Sequence, residues 1–361
     1  MGFELLLTPI AAALAILGAV VVLDSRTVFV KSIDVPLQLW SAGYSSQTMQ
    51  EEIANAMLDI EREGRARDAT RELALDQSDD SIDYVTEYFE LTPLVRAFQQ
   101  SGGFVSYVVD GYVTQDGGNY VMSLDISARD GSEFNTTVSH PQQDIPGFVR
   151  DGAEAIMRFV EPEPLCASFL AQALAGKESI DKADRCVRET LAAAAPSNKV
   201  WLLNLAGVIQ YVQGDQVAAM ERFRQALKFD PTFSPSLLNV GILLAADGKP
   251  AEAEKAYEFL FADLNDGVSD RTYAAAYVEW AKSKVALGRQ DEAVAILHKA
   301  VAASPDYAES YHQLANLLPP GAEADRLRDK GDYVARTKDQ VYTENLIGPV
   351  LKAANANVKP L

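Results

Sequence analysis

Three pairs of small residues recur at one spacing in the second half of the chain: Gly207 with Ala219, Gly241 with Ala253, and Ala281 with Ala293, each twelve positions apart. A glycine turn joins the members of each pair, at Gly214, Gly248 and Gly288, and Phe223, Tyr257 or Leu297 follows the second member by four positions. Pro231 and Pro305 close the first and third copies, while the middle copy lacks its proline. A small residue on each of two helices lets their backbones cross closely, and the larger side chain fills the space toward the next pair. Such hairpins cannot bury their faces alone, so they stack. The first two copies lie 34 residues apart and the third follows after 40, the extra residues falling in DLNDGVSDR around Gly267.

This pattern resembles the tetratricopeptide repeat, whose period is about 34 residues. A weaker copy precedes the three, with Gly176, Ala183, Val187, Leu191 and Pro196; a further start, AESYHQLANLL with Tyr311, Leu314 and Ala315, is cut by Pro319 and Pro320. Leu203 and Leu237 stand where that family often has tryptophan, and Leu297 where it has an aromatic residue. The helix GAEADRLRDKGDYVARTKDQVY is expected to act as the polar cap that such arrays need. The resemblance implies an interaction scaffold that holds a peptide or helix in a groove lined by the first helix of each repeat. Carried onto this chain, the groove candidates are Trp201, Asn204, Val208 and Tyr211, then Leu238, Asn239 and Ile242, then Val278, Glu279, Lys282 and His312. Relatives that clamp a C-terminal carboxylate use paired basic residues there; Ala275 and Glu279 occupy those places here, which argues against a tail clamp.

The other end of the chain carries a different signal. From Leu5 to Leu23 no residue is charged, and nineteen residues of helix span roughly 28 Å, about the thickness of a bilayer core. A single transmembrane anchor over residues 5–23 is expected, because the run lacks the basic start of a signal peptide and has no polar face. Arg26 and Lys31 follow the run, which leans toward a cytoplasmic C-terminal part. The order of anchor, small domain and repeats instead resembles bacterial envelope repeat proteins, and implies an inner-membrane protein with its soluble part in the periplasm. Cys166 and Cys186, the only cysteines, fall on the two helices of the weak first copy. They are either two small buried side chains or a disulfide, which would require an oxidising compartment.

Between these ends the chain reads as a small α+β domain. A short extended segment precedes a helix that Ser45 or Ser46 can cap, with Ile53, Met57 and Ile60 at helical spacing. The stretch from Asp76 to Glu90 carries six carboxylates without a calcium-loop spacing and reads as a solvated acidic loop. From Phe104 the period becomes two, and three strands separated by Asp116-Gly117-Gly118 and Asp130-Gly131 predict an antiparallel meander. A helix from about Asp144 to Val160 should cover its apolar face.

The expected organisation is therefore mainly α: an anchor at 1–28, an α+β domain at 29–161, repeats at 162–320, and a capping helix and tail at 321–361. A net charge of -19 argues against nucleic-acid binding. The histidines are His140, His298 and His312, and no nucleophile elbow or phosphate-cradling loop occurs, so neither enzyme, metal site nor cofactor is expected. The expected role is that of a membrane-tethered scaffold or assembly factor with a protein partner. The alternative is a ligand-sensing regulator using Tyr107, Tyr112 and Tyr120 of the α+β domain.

Overall fold

The computed structural model describes residues 28–64, 106–193, 196–262 and 270–337. The apolar run at 5–23, the acidic stretch at 76–90, most of DLNDGVSDR and the tail beyond Thr337 lie outside the described residues. Among the described residues, no helix is long and apolar enough to cross a membrane. The chain divides into two compact units, one ending at Glu161 and the other running from Pro162, with the last turn of the long N-terminal helix counted with the second.

The first unit is built on a four-stranded sheet ordered β1 (Val28–Val30), β2 (Tyr107–Asp116), β3 (Asn119–Ala128) and β4 (Glu133–Pro141). The last three form the expected meander, with Val109 opposite Ile126 and Val113 opposite Met122. Gly117 and Gly131 take the positive φ of the two turns, +60° and +85°. The extended segment near the N-terminus becomes a fourth strand, parallel to β2 with Val28 opposite Tyr107.

Two short-range signals set the unit's helices. Helix α1 (Leu37–Ser41) follows Pro36, and α2 (Ser46–Glu63) starts where Ser45 Oγ accepts from the Thr48 amide at 3.0 Å. Met49, Ile53, Met57 and Ile60 of α2 are fully buried along one stripe. Helix α3 (Ile145–Val160) is capped by Asp144, which accepts from the Gly147 amide, and buries Phe148, Val149 and Ile156. It lies very close to the sheet: a Cβ at Gly152 would stand 2.8 Å from Met122 Sδ.

Among the described residues the second unit has five helical hairpins: α4 (Pro162–Leu174) with α5 (Ile180–Ala193), α6 (Pro196–Val212) with α7 (Gln216–Phe229), α8 (Ser234–Ala246) with α9 (Pro250–Leu260), α10 (Asp270–Ala286) with α11 (Gln290–Ala303), and α12 (Ala308–Leu317) with α13 (Ala322–Thr337). Pro196 opens α6 rather than ending the helix before it, the position where a missing backbone donor costs nothing. The expected polar cap, α13, is the second helix of a hairpin of its own: Gly331 lies so close to the His312 ring of α12 that a Cβ there would overlap it.

One device turns the chain inside four of these hairpins. Gly176, Gly214, Gly248 and Gly288 all have positive φ, between 71° and 89°. At each, the glycine amide and the next amide reach back to two carbonyls of the first helix, as in Gly214 N to Tyr211 O and Asp215 N to Gln210 O. This Schellman arrangement satisfies the orphan carbonyls of the helix end and needs a residue without a Cβ penalty. Inside the hairpins, a small residue meets a large one. A Cβ on Gly207 would come 2.5 Å from the Phe223 ring, and one on Gly241 2.5 Å from the Tyr257 ring. In the fourth hairpin Ala281 and Leu297 share the core cluster instead.

Candidate interaction surface of the helical array

The first helices of the hairpins touch along the array, α4 with α6, α8 with α10, and α10 with α12. That packing decides what the candidate groove residues do. Val208, Leu238, Val278 and Ile242 are all buried inside the array, so they do not present a surface. The same correction applies to the asparagines, the most specific of the candidates. Asn204 and Asn239 are fully buried; Asn204 Oδ1 accepts from Asn239 Nδ2 at 2.9 Å and from Ser236 Oγ at 3.0 Å. Both lone pairs of one carbonyl are filled by donors from the next repeat, which fixes the register of α6 against α8. A polar letter in a sequence does not show whether its partner is a ligand or the neighbouring helix.

The remaining candidates are partly exposed. Trp201 stands edge-on to Phe233 with ring centroids 4.7 Å apart, and burial pushes the Tyr211 phenol above its ordinary pKa. Lys282 Nζ donates to Glu279 Oε1 at 2.6 Å, and His312 Nε2 lies 3.1 Å from Asp332 Oδ1 of α13. The two cysteines are joined: Cys166 of α4 and Cys186 of α5 form a disulfide with Cα atoms 5.4 Å apart.

Two features were not legible at the level of motifs. The first is an ionic cluster where the repeat spacing lengthens. Lys284 of α10, only 3% exposed, is paired with Glu254 of α9 and lies 3.0 Å from Glu292 of α11. Arg289 closes the ring, 2.9 Å from Glu254 and 2.5 Å from Glu292. The Arg289 and Lys284 cations hold the Glu292 carboxyl down at about 2; burial opposes the charge on Lys284, but Glu254 and Glu292 outweigh it and raise its pKa. The cluster spans α9, α10 and α11, so charge joins the two hairpins between which the chain carries its extra residues.

The second is a cavity of about 620 Å³ at the C-terminal end of the array. Asp270 and Arg271 of α10, Ser304 and Asp306 after α11, and Lys330 and Tyr333 of α13 line it. Arg271 lies over the Tyr307 ring at 5.2 Å and Lys330 over Tyr333 at 5.4 Å, so two cations are held on aromatic faces at its rim. A hydroxyl, two carboxylates, two cations and a half-exposed tyrosine suit a polar peptide segment better than an apolar small molecule. The residues come from three separated segments, which hides the site from a reading by spacing.

Five stacked hairpins among the described residues, four of them turned at a glycine, decide the fold. The array is tetratricopeptide-like. Solved structures similar to this chain include MamA from Desulfovibrio magneticus RS-1, 16% identical over 55% of this chain and 98% of that one with a TM-score of 0.34. TTC0263, a thermophilic TPR protein in Thermus thermophilus, is 20% identical over 48% of this chain and 93% of its own, TM-score 0.36. PilW, described as a widely conserved type IV pilus biogenesis factor, is 20% identical over 51% and 85%, TM-score 0.36. No family model matches the chain, and no curated protein sequence matches it.

Proposed function

We propose that this chain is a single-pass, membrane-tethered scaffold or assembly factor whose tetratricopeptide-like array binds a protein partner, with its soluble part on the periplasmic side of an inner membrane. The observation that carries the proposal is the array itself, whose last hairpins leave a charged, aromatic-rimmed cavity at Arg271, Ser304, Lys330 and Tyr333. Tethering rests on the uncharged run from Leu5 to Leu23. The Cys166–Cys186 bond supports an oxidising compartment. A regulator that senses a ligand through its tyrosines has less support: Tyr120 is buried beside Phe148 and Tyr107 packs edge-on to Phe159, which leaves only Tyr112 of the three half-exposed.

The test is co-purification of the full chain from native membranes after mild crosslinking. Lys330→Glu with Tyr333→Ala should lose the partner while the melting temperature holds. Loss with Tyr211→Ala and Lys282→Glu instead would move the contact to the first helices; a partner indifferent to both pairs would remove the array as the binding surface. An alkaline phosphatase fusion after Leu361 should be active in cells, and an inactive one reverses the membrane side.

A further inference from the structure

Helix α1 is only five residues long, yet it has apolar groups on two sides. Leu39 points into the first unit and is fully buried, whereas Leu37 and Trp40 are 75% and 62% exposed. Three positions apart, they share one side of the helix. Isolated exposed apolar residues are ordinary on a protein surface. Two large ones on a single turn are less so. Lys31 is paired with Asp110, Nζ to Oδ2 2.8 Å, and the exposed Asp34 stands three residues before Leu37.

Chain length limits how far from a bilayer this part of the chain can stand. β1 begins five residues after Leu23, the last residue of the uncharged run, and five residues reach at most about 17 Å. If that run enters a bilayer, β1 starts within about 17 Å of its surface, and α1 follows β1 after six residues. Tryptophan favours that boundary because its ring is apolar and its N–H can meet the headgroups.

We infer that the exposed side of α1 is a bilayer contact, with Leu37 and Trp40 seated at the boundary between headgroups and acyl chains. The inference rests on the tethering reading above. The contact is hydrophobic, so it takes a zwitterionic lipid surface and is insensitive to salt; the acidic chain gains nothing from anionic headgroups. The patch thereby fixes how the first unit stands on the membrane, which a five-residue tether alone does not.

The experiment uses the full chain in nanodiscs of phosphatidylcholine, with and without lipid brominated near the top of the acyl chains, and reads tryptophan fluorescence. Brominated lipid should quench a fraction of the emission, and Trp40→Phe should abolish that fraction; Trp40 is exposed, so its replacement leaves folding intact. Leu37→Ser should reduce the quenching and shift the Trp40 emission to the red. Carbonate extraction of the same membranes separates the two readings. A chain retained in the membrane whose Trp40 is unquenched and water-like overturns the bilayer contact and leaves the anchor standing. A chain released by carbonate overturns both. Unquenched but blue-shifted emission that reverts on dilution among nanodiscs assigns the patch to a second copy and likewise overturns the inference.

Discussion

Replacing Gly241 by alanine tests whether the hairpins are held by close helix crossing. In an exposed helix the change would stabilise by about 1 kcal/mol, because glycine loses more backbone freedom on folding. Here the new methyl would stand 2.5 Å from Tyr257 Cε1 and 2.6 Å from its Cζ, nearly 1 Å inside ordinary contact, and the ring is fully buried with little room to retreat. Overpacking of this kind costs about 1–3 kcal/mol, and an overlap this deep belongs at the upper end. The net expectation is a loss of about 2 kcal/mol. The array itself suggests the compensation: Ala281 and Leu297, sixteen residues apart like Gly241 and Tyr257, form the corresponding pair in the fourth hairpin. Gly241→Ala with Tyr257→Leu should therefore be more stable than the two single changes predict, by a coupling of about 1–2 kcal/mol. Urea denaturation followed by far-UV circular dichroism measures all four proteins. A stabilised single mutant, or additivity within about 0.3 kcal/mol, would refute the packing argument.

Other expectations concern separate parts of the molecule. His140 lies between Asp151 at 2.7 Å and Asp144 at 3.1 Å; burial opposes its protonation, but the two carboxylates outweigh it and raise its pKa. Its contribution is complete below the unfolded value near 6.5 and fades as pH rises through the folded one, so the first unit should melt lower at pH 8 than at pH 6, and His140→Gln should flatten that difference. Glu292 has the opposite sign: held near 2, it contributes above its unfolded value of 4.5 and the contribution is lost as pH falls toward 2, a loss that Arg289→Gln should shrink in acid titrations of the melting temperature. Asn204→Leu leaves the Asn239 and Ser236 donors without their acceptor and should cost about 1–3 kcal/mol in denaturant titrations, while partner retention below the transition is unchanged. Reducing Cys166–Cys186, which closes a 20-residue separation, should remove about 3 kcal/mol from α4–α5 stability, seen as faster amide exchange in that hairpin.

Local chemistry made much of this fold legible before any coordinates. Glycines with adjoining small residues mark the hairpins because a left-handed turn and a close crossing each exclude most side chains, and Ser45 and the two glycine turns identify themselves in the same way. What escaped depends on distant partners. β1 is three residues long and pairs with a strand some eighty positions later, and α13 is too polar to announce that it packs on α12. Asn204 and Asn239 stand out in the sequence, but whether their partner lies outside the chain or in the next helix is a question of register. Lys284 and its carboxylates stand at positions 254, 284 and 292, so only the stacked hairpins bring them together.

The connection inside the first hairpin is longer than in the next three: Ala183 follows Gly176 by seven positions, where Ala219, Ala253 and Ala293 follow their glycines by five. That slackest hairpin is also the one with a covalent cross-tie. An oxidised chain is therefore cross-tied in its first hairpin and in none of the other four described hairpins. Under load or protease the hairpins without a cross-tie should open before α4–α5, and the cavity lined by α10, α11 and α13 belongs to those hairpins.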